Sequence, residues 1–217
     1  MNTTSRIYSP TNGYKYLFID LIVLFLLIPF ASIHRSLSLI VSFCFLVTLL
    51  LGLNTLAFPK RVLFLFRFFA TLGFISDIII FPNSQYLTDL SSLMSYSFYG
   101  IFYILVILAI GSRISHEKEV NLNVVRGGVC IYLLLGLLWF FLYKIIIFFD
   151  VSAFSFPENI SKDSLFYFSF TTLTTLGYGD ILPKNAFAMT FANAEALVGQ
   201  IYPAVVIAKL VSLYEHK

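Results

Sequence analysis

Apolar residues in this chain come in long, nearly unbroken runs rather than in the stripes of a surface helix. A bilayer core of about 30 Å needs roughly 20 apolar residues as helix. Five runs approach or meet that length, at 16–33, 36–58, 62–81, 93–111 and 127–149. A sixth, 186–214, is mostly apolar although Glu195, Gly199, Gln200 and Pro203 interrupt it. The pattern predicts six transmembrane helices. Between the fifth and sixth lies 163–175, too short to span, followed by Gly177-Tyr178-Gly179. A half-length helix that ends in glycines between two spans predicts a re-entrant loop. Such a loop survives in a membrane only where protein or a water-filled cavity surrounds it. A plain turn at Gly-Tyr-Gly would leave the short apolar segment unexplained.

Punctuation agrees with these boundaries. Pro59 and Pro82 follow the second and third runs, and Pro157 and Pro183 bracket the re-entrant segment. Pro29 and Pro203 fall inside spans, where membrane helices accept them more readily than soluble ones do. The polar residues 1–16 precede a run longer than a signal-peptide core, so the first helix is expected to be retained. Three regions follow: a four-helix front bundle (1–111), an interfacial linker (112–126) and a last module (127–217) that holds the re-entrant segment between two helices. The fold class expected is an all-α membrane protein with six transmembrane helices, a re-entrant helix and the loop after it.

Charge orients the spans. With both ends inside, Arg6, Lys15, Lys60, Arg61, Arg113, Lys118, Arg126, Lys209 and Lys217 are inner, and Arg35, Lys162 and Lys184 outer. That bias places both termini in the cytoplasm. The outer loops collect Asp89, Asp150, Glu158, Asp163 and Asp180, which suits a cation path. Charged residues are 12% of the chain and apolar residues 59%, far from the composition of a soluble domain. A net charge of +3 gives no footprint for nucleic acid. Cys44 and Cys130 lie in apolar runs and read as small hydrophobes. The three histidines sit at ends or loops and form no metal-ligand spacing. No nucleophile–base set or nucleotide-binding loop is present, so no enzyme and no cofactor are expected.

The chemistry concentrates in Thr175-Leu176-Gly177-Tyr178-Gly179-Asp180. For successive carbonyls to face one axis, alternate residues must leave the usual backbone regions, which glycine does without steric cost. Gly177 and Gly179 flank a single residue, as that requirement demands. Preceded by a Thr-rich short helix, this stretch resembles the signature of the tetrameric potassium channel superfamily. The likeness covers 163–183 closely and the two flanking helices loosely. Leu176 stands where such channels usually carry Val or Ile, and its carbonyl is the functional group.

The resemblance implies a homotetramer around one central pore, with K⁺ held by oxygens of Thr175, Leu176, Gly177 and Tyr178. It implies that the short helix aims the negative end of its dipole at the pore centre. Tyr167 and Phe168 resemble the aromatic pair that braces such filters. Thr171 stands where some relatives place a Glu that pairs with the carboxylate of Asp180, so Tyr167 is the donor expected there. Thr174 belongs to the same support. Gly199 falls where the inner helix has its hinge glycine; a close helix–helix contact is the other reading. Pro203, one turn on, would weaken the same helix. Glu195 either hydrogen-bonds behind the filter or titrates as part of a gate.

The fourth span, 93–111, carries no Lys or Arg. A conventional voltage sensor is therefore not expected. Asp20 and Arg67 lie at similar depth and can pair, or each can reach the inner interface alone. The function expected is passive K⁺ conduction in the plasma membrane, or the inner membrane of a bacterium. The partners are lipids, K⁺ and further copies of the chain; no soluble partner is expected. A weakly selective cation channel, or a non-conducting sensor or assembly subunit that keeps the pore fold, would use the same features.

Overall fold

The computed structural model describes residues 14–31, 35–53, 64, 67–68, 71, 74–75, 85–117, 119–158 and 164–215. Its order is α1 (Lys15–Leu27), a 3₁₀ turn (Ile28–Phe30), α2 (Arg35–Leu53), α3 (Gln85–His116) and α4 (Leu122–Phe149). Then follow β1 (Phe154–Ser155), α5 (Leu165–Leu173), β2 (Leu182–Pro183) and α6 (Ala186–Glu215). The two short strands pair antiparallel, Phe154 opposite Pro183 and Ser155 opposite Leu182.

Among the described residues, three helical stretches are long and apolar enough to cross a membrane: Leu87–His116, Leu122–Phe149 and Ala186–Ser212. The described residues thus fit an all-α membrane protein, with one two-residue strand pair among them. α1 is shorter than the expected run 16–33. Its 13 residues rise only about 20 Å. Pro29 lies in the turn that closes it and has no N–H to continue the ladder. The expected third span, 62–81, falls largely outside the described residues. Phe64, Arg67, Phe68, Thr71, Phe74 and Ile75 within it are helical.

The expected linker 112–126 is mostly continuous with its neighbours. Residues 112–116 complete α3 and 122–126 open α4. Asn121 sets the second boundary, because its side chain accepts from the backbone N–H of Asn123 (2.9 Å) and Val124 (3.0 Å). The start of α3 is richer in serine than a lipid-facing helix usually is. Those hydroxyls turn back onto the helix: Ser92 donates to the Thr88 carbonyl, Ser95 to Ser91 and Ser97 to Leu93. That pairing lets a polar half-helix run inside the bundle.

Helices in lipid gain little from burying apolar surface, so close packing has to hold them. Phe141 of α4 is the hub of the front contact. It stacks on Tyr99 (5.0 Å between centroids) and meets Phe45 edge-on (5.3 Å). Cys44 and Cys130 are both buried free thiols. Glycines set the tightest approaches. The Phe170 ring of α5 fills the notch at Gly136 of α4. At Gly199 of α6 an added Cβ would stand 1.8 Å from the Leu173 carbonyl oxygen, which ends α5. That obstacle is backbone, not a side chain that can swing away.

Gly199→Ala should therefore push α6 off α5 and cost about 1–3 kcal/mol, the usual range for overpacking. Gly100→Ala is the control, because its nearest neighbour is Leu138 Cδ1 at 3.9 Å. Melting of the detergent-solubilised protein should fall for the first and stay at the wild-type value for the second. Equal melting of both variants would contradict the packing described.

Candidate functional site

The site is built where α5 stops. A helix leaves its last four carbonyls without intrahelical donors. Here each finds one nearby. The Phe170 oxygen accepts from the Thr174 N–H (3.0 Å) and from its hydroxyl (2.6 Å). The Thr171 oxygen accepts from the N–H of Leu176 (2.8 Å) and Gly177 (3.1 Å), and the Thr172 oxygen from Thr175 (2.9 Å). The Leu173 oxygen accepts from the hydroxyl of Tyr132 in α4 (3.3 Å). The first N–H groups of the following strand are thus spent on the helix behind it.

That strand alternates in backbone hand. Thr175, Gly177 and Gly179 have φ of 58°, 54° and 78°, whereas Leu176 and Tyr178 between them stay on the ordinary side. Such alternation turns successive carbonyls toward one face, while an ordinary extended strand alternates them. Thr175 holds a left-handed conformation that L-residues rarely adopt. The requirement for unusual backbone conformations was legible at the two glycines; the one at Thr175 was not. Nothing lies within 4 Å of where a Cβ would stand at Gly177 or Gly179. All of residues 174–180 are exposed in the single chain.

The supporting residues fall around the strand. Tyr167 lies parallel to Tyr178, with centroids 6.2 Å apart and planes 6° apart, and its hydroxyl pairs with the Asp180 carboxylate. Phe168 is buried against Tyr143 and Phe154. Thr171 donates back to the Phe168 carbonyl at 3.0 Å. Asp163 lies outside the described residues; Ser164, in the cap position of α5, makes no side-chain capping bond.

Behind α5 lies α6. Glu195 is fully buried. The Tyr143 hydroxyl donates to its Oε2, and its Oε1 is 2.6 Å from Ser169 Oγ. Ser169 Oγ is in turn 2.7 Å from the Gly136 carbonyl oxygen. One turn below, Gly199 touches Leu173, so a close contact is what its position shows. Pro203 is inside α6 and withholds the N–H that the Gly199 carbonyl would take, so that turn is also its weakest. The Tyr202 hydroxyl donates to the Gly128 carbonyl (2.7 Å), and its ring stacks on Tyr132.

Asp20 and Arg67 are not brought together. Asp20 pairs with the Thr48 hydroxyl of α2, and Arg67 is exposed.

Sequence reasoning missed Tyr132, Tyr143, Tyr202 and Asn185. A signal existed for the first two. Tyr132, Gly136 and Tyr143 are spaced by four and seven, which places two hydroxyls and a notch on one face of α4. Glu195, Gly199 and Tyr202, spaced by four and three, likewise share one face of α6. Asn185 ties the start of α6 to the end of α4. Its side-chain oxygen caps α6 by accepting from the Ala188 N–H (2.8 Å), and its amide donates to Asp150 (2.7 Å). Asp150, just past α4, also accepts from the Ser152 hydroxyl (2.6 Å) and N–H (2.9 Å).

Residues 128–216, which hold most of α4 and all of α5, match a family model described as "Ion channel". A 67-residue stretch is 40% identical to Protein LctB of Bacillus caldotenax, covering 28% of this chain and 49% of that protein. The chain thus spans about half the length of that relative. No solved structure matches it. The family match supports an ion channel and gives no support to an enzyme.

The hydrogen bonds from Ser152 and Asn185 hold the Asp150 carboxyl below the usual carboxylate range. The stability it contributes is full above about pH 4, the ordinary value, and is lost as pH falls through the lowered one. Asp150→Asn should flatten that acid limb in melting curves of the solubilised protein. An unchanged acid limb would show that Asp150 is not its source.

Proposed function

We propose that the chain is one subunit of a potassium-selective channel, with the strand Thr175–Gly179 as its filter. The observation that carries the reading is the alternate left-handed backbone at Thr175, Gly177 and Gly179. A K⁺ ion sheds its water only where oxygens of similar number and strength replace it, and rings of backbone carbonyls supply them. Thr175, Leu176, Gly177 and Tyr178 would offer those oxygens. One chain contributes one such strand, so a closed ring requires several copies, and four is the number proposed.

Exposure supports assembly. Only 11% of the apolar window of α6 is buried, against 39% in α3 and in α4. Leu197, Ile201, Val205 and Ile207 stand exposed along it. A helix this bare beside an exposed filter strand is suited to line a pore shared between copies. The front helices complete six spans in this reading, with both ends in the cytoplasm and the protein in the plasma membrane. Leu176 in place of the usual Val changes the side chain behind the filter and leaves its carbonyl in place.

The test is K⁺ and Na⁺ efflux from liposomes holding purified protein. Wild type should release K⁺ and retain Na⁺. Gly177→Ala places a Cβ on a left-handed residue, at a cost of roughly 1–2 kcal/mol per subunit, and should abolish the K⁺ preference while the protein still inserts. Equal release of both ions by wild type, or an unaltered preference in the variant, would overturn the filter assignment.

A further inference from the structure

The chain of oxygens behind the filter can be read by counting hydrogens. Three close contacts run in series: Tyr143 to Glu195, Glu195 Oε1 to Ser169 Oγ (2.6 Å), and Ser169 Oγ to the Gly136 carbonyl (2.7 Å). Each is at or below the usual length of a two-centre O–H···O bond, and each needs a hydrogen of its own. One hydroxyl hydrogen shared between two acceptors would lengthen both contacts. The Gly136 carbonyl supplies none. Tyr143 and Ser169 supply one each. Two hydrogens serve three contacts, so the third must come from the carboxyl itself.

We infer that Glu195 is a proton-binding site, held as the neutral acid, and that this proton makes it the positioning residue between α6 and the pore helix. Tyr143 donates to Oε2, the carboxyl O–H donates to Ser169, and Ser169 donates to Gly136. Every hydrogen is used and every contact filled. The surroundings fit a neutral group. The titratable groups facing Glu195 are Tyr143 and Tyr132, both from α4; α5 faces it with Ser169. Among the described residues no cationic group acts on it. Lys144, next to Tyr143, holds its ammonium over the Phe140 ring. An ionised carboxylate would stand buried without a counter-charge, which is costly. When pH rises and the proton leaves, two hydrogens face three contacts. One contact opens, and the tie between α6 and α5 loosens beside Gly199 and Pro203.

The inference rests on reading α5 as the pore helix only for its consequence in gating; the proton itself is measurable whether or not the protein conducts. Glu195→Gln is the informative variant, because its amide N–H donates to Ser169 and its oxygen accepts from Tyr143. Glu195→Ala removes both contacts. The full chain in detergent is examined by infrared spectroscopy and by thermal melting from neutral to alkaline pH. A carboxylic-acid carbonyl band should be present in wild type at neutral pH and missing from the Gln variant. Wild type should melt lower as pH rises, the Gln variant should keep its neutral-pH melting temperature, and the Ala variant should melt lower throughout. A carboxylate band at neutral pH with no acid band assignable to Glu195 would overturn the inference. So would a Gln variant that melts as low as Ala. A Gln variant that keeps the whole alkaline loss would assign that loss to the tyrosines and overturn it equally.

Discussion

Backbone polar groups inside a bilayer must find partners within the protein, and that constraint governs the region around α5. The nine-residue helix ends between α4 and α6, where its last carbonyls would be stranded. The chain satisfies them by folding the next residues back onto the helix end, with one hydroxyl brought from α4. The left-handed turns at Thr175, Gly177 and Gly179 follow from the same economy. Once its N–H groups face the helix behind it, the strand is left with carbonyls to present on the other side. Selectivity in the proposed channel is then a by-product of satisfying a buried helix end.

Everything farther out keeps that corner still. Gly136 admits the Phe170 ring, and Gly199 admits the Leu173 carbonyl. α4 therefore meets the Phe170 side chain of α5 at its own backbone, and α6 meets α5 backbone to backbone. Tyr132 and Tyr202 stack between them, and the Glu195–Ser169 contact crosses from α6 to α5. At the outer end, Asn185 and Asp150 tie the start of α6 to the end of α4, beside the small strand pair. The weak turn at Gly199 and Pro203 sits where these ties end. Motion of the lower part of α6 would thus begin at a point already in contact with α5.

Much of the region from α4 to α6 was legible because its constraints are local. Gly177-Tyr178-Gly179 states a backbone requirement in its own residues, and a half-length apolar run before it admits few arrangements. Glu195 stood out because a carboxyl in an apolar run is rarely idle. The partners were harder to read. Tyr143 is 52 positions from Glu195 and lies in a run of Phe, Leu and Ile where one more aromatic ring draws no notice. The helix ends misled for a related reason. Hydropathy sees the membrane, not the hydrogen-bonded ladder, so α3 and α4 extend into the polar stretch that seemed a separate linker. Asp20 and Arg67 matched in depth, yet depth in a span does not say which faces meet. Asp20 instead meets Thr48.

The central claim is that the strand after α5 replaces the water of K⁺ and not that of Na⁺. The most direct measurement is the reversal potential of single channels of the wild-type protein in a planar bilayer, with K⁺ on one side and Na⁺ on the other. Carbonyl rings in a filter of this kind require a reversal potential displaced far toward the K⁺ equilibrium value. Unitary currents that reverse near zero under the same gradient would contradict the account.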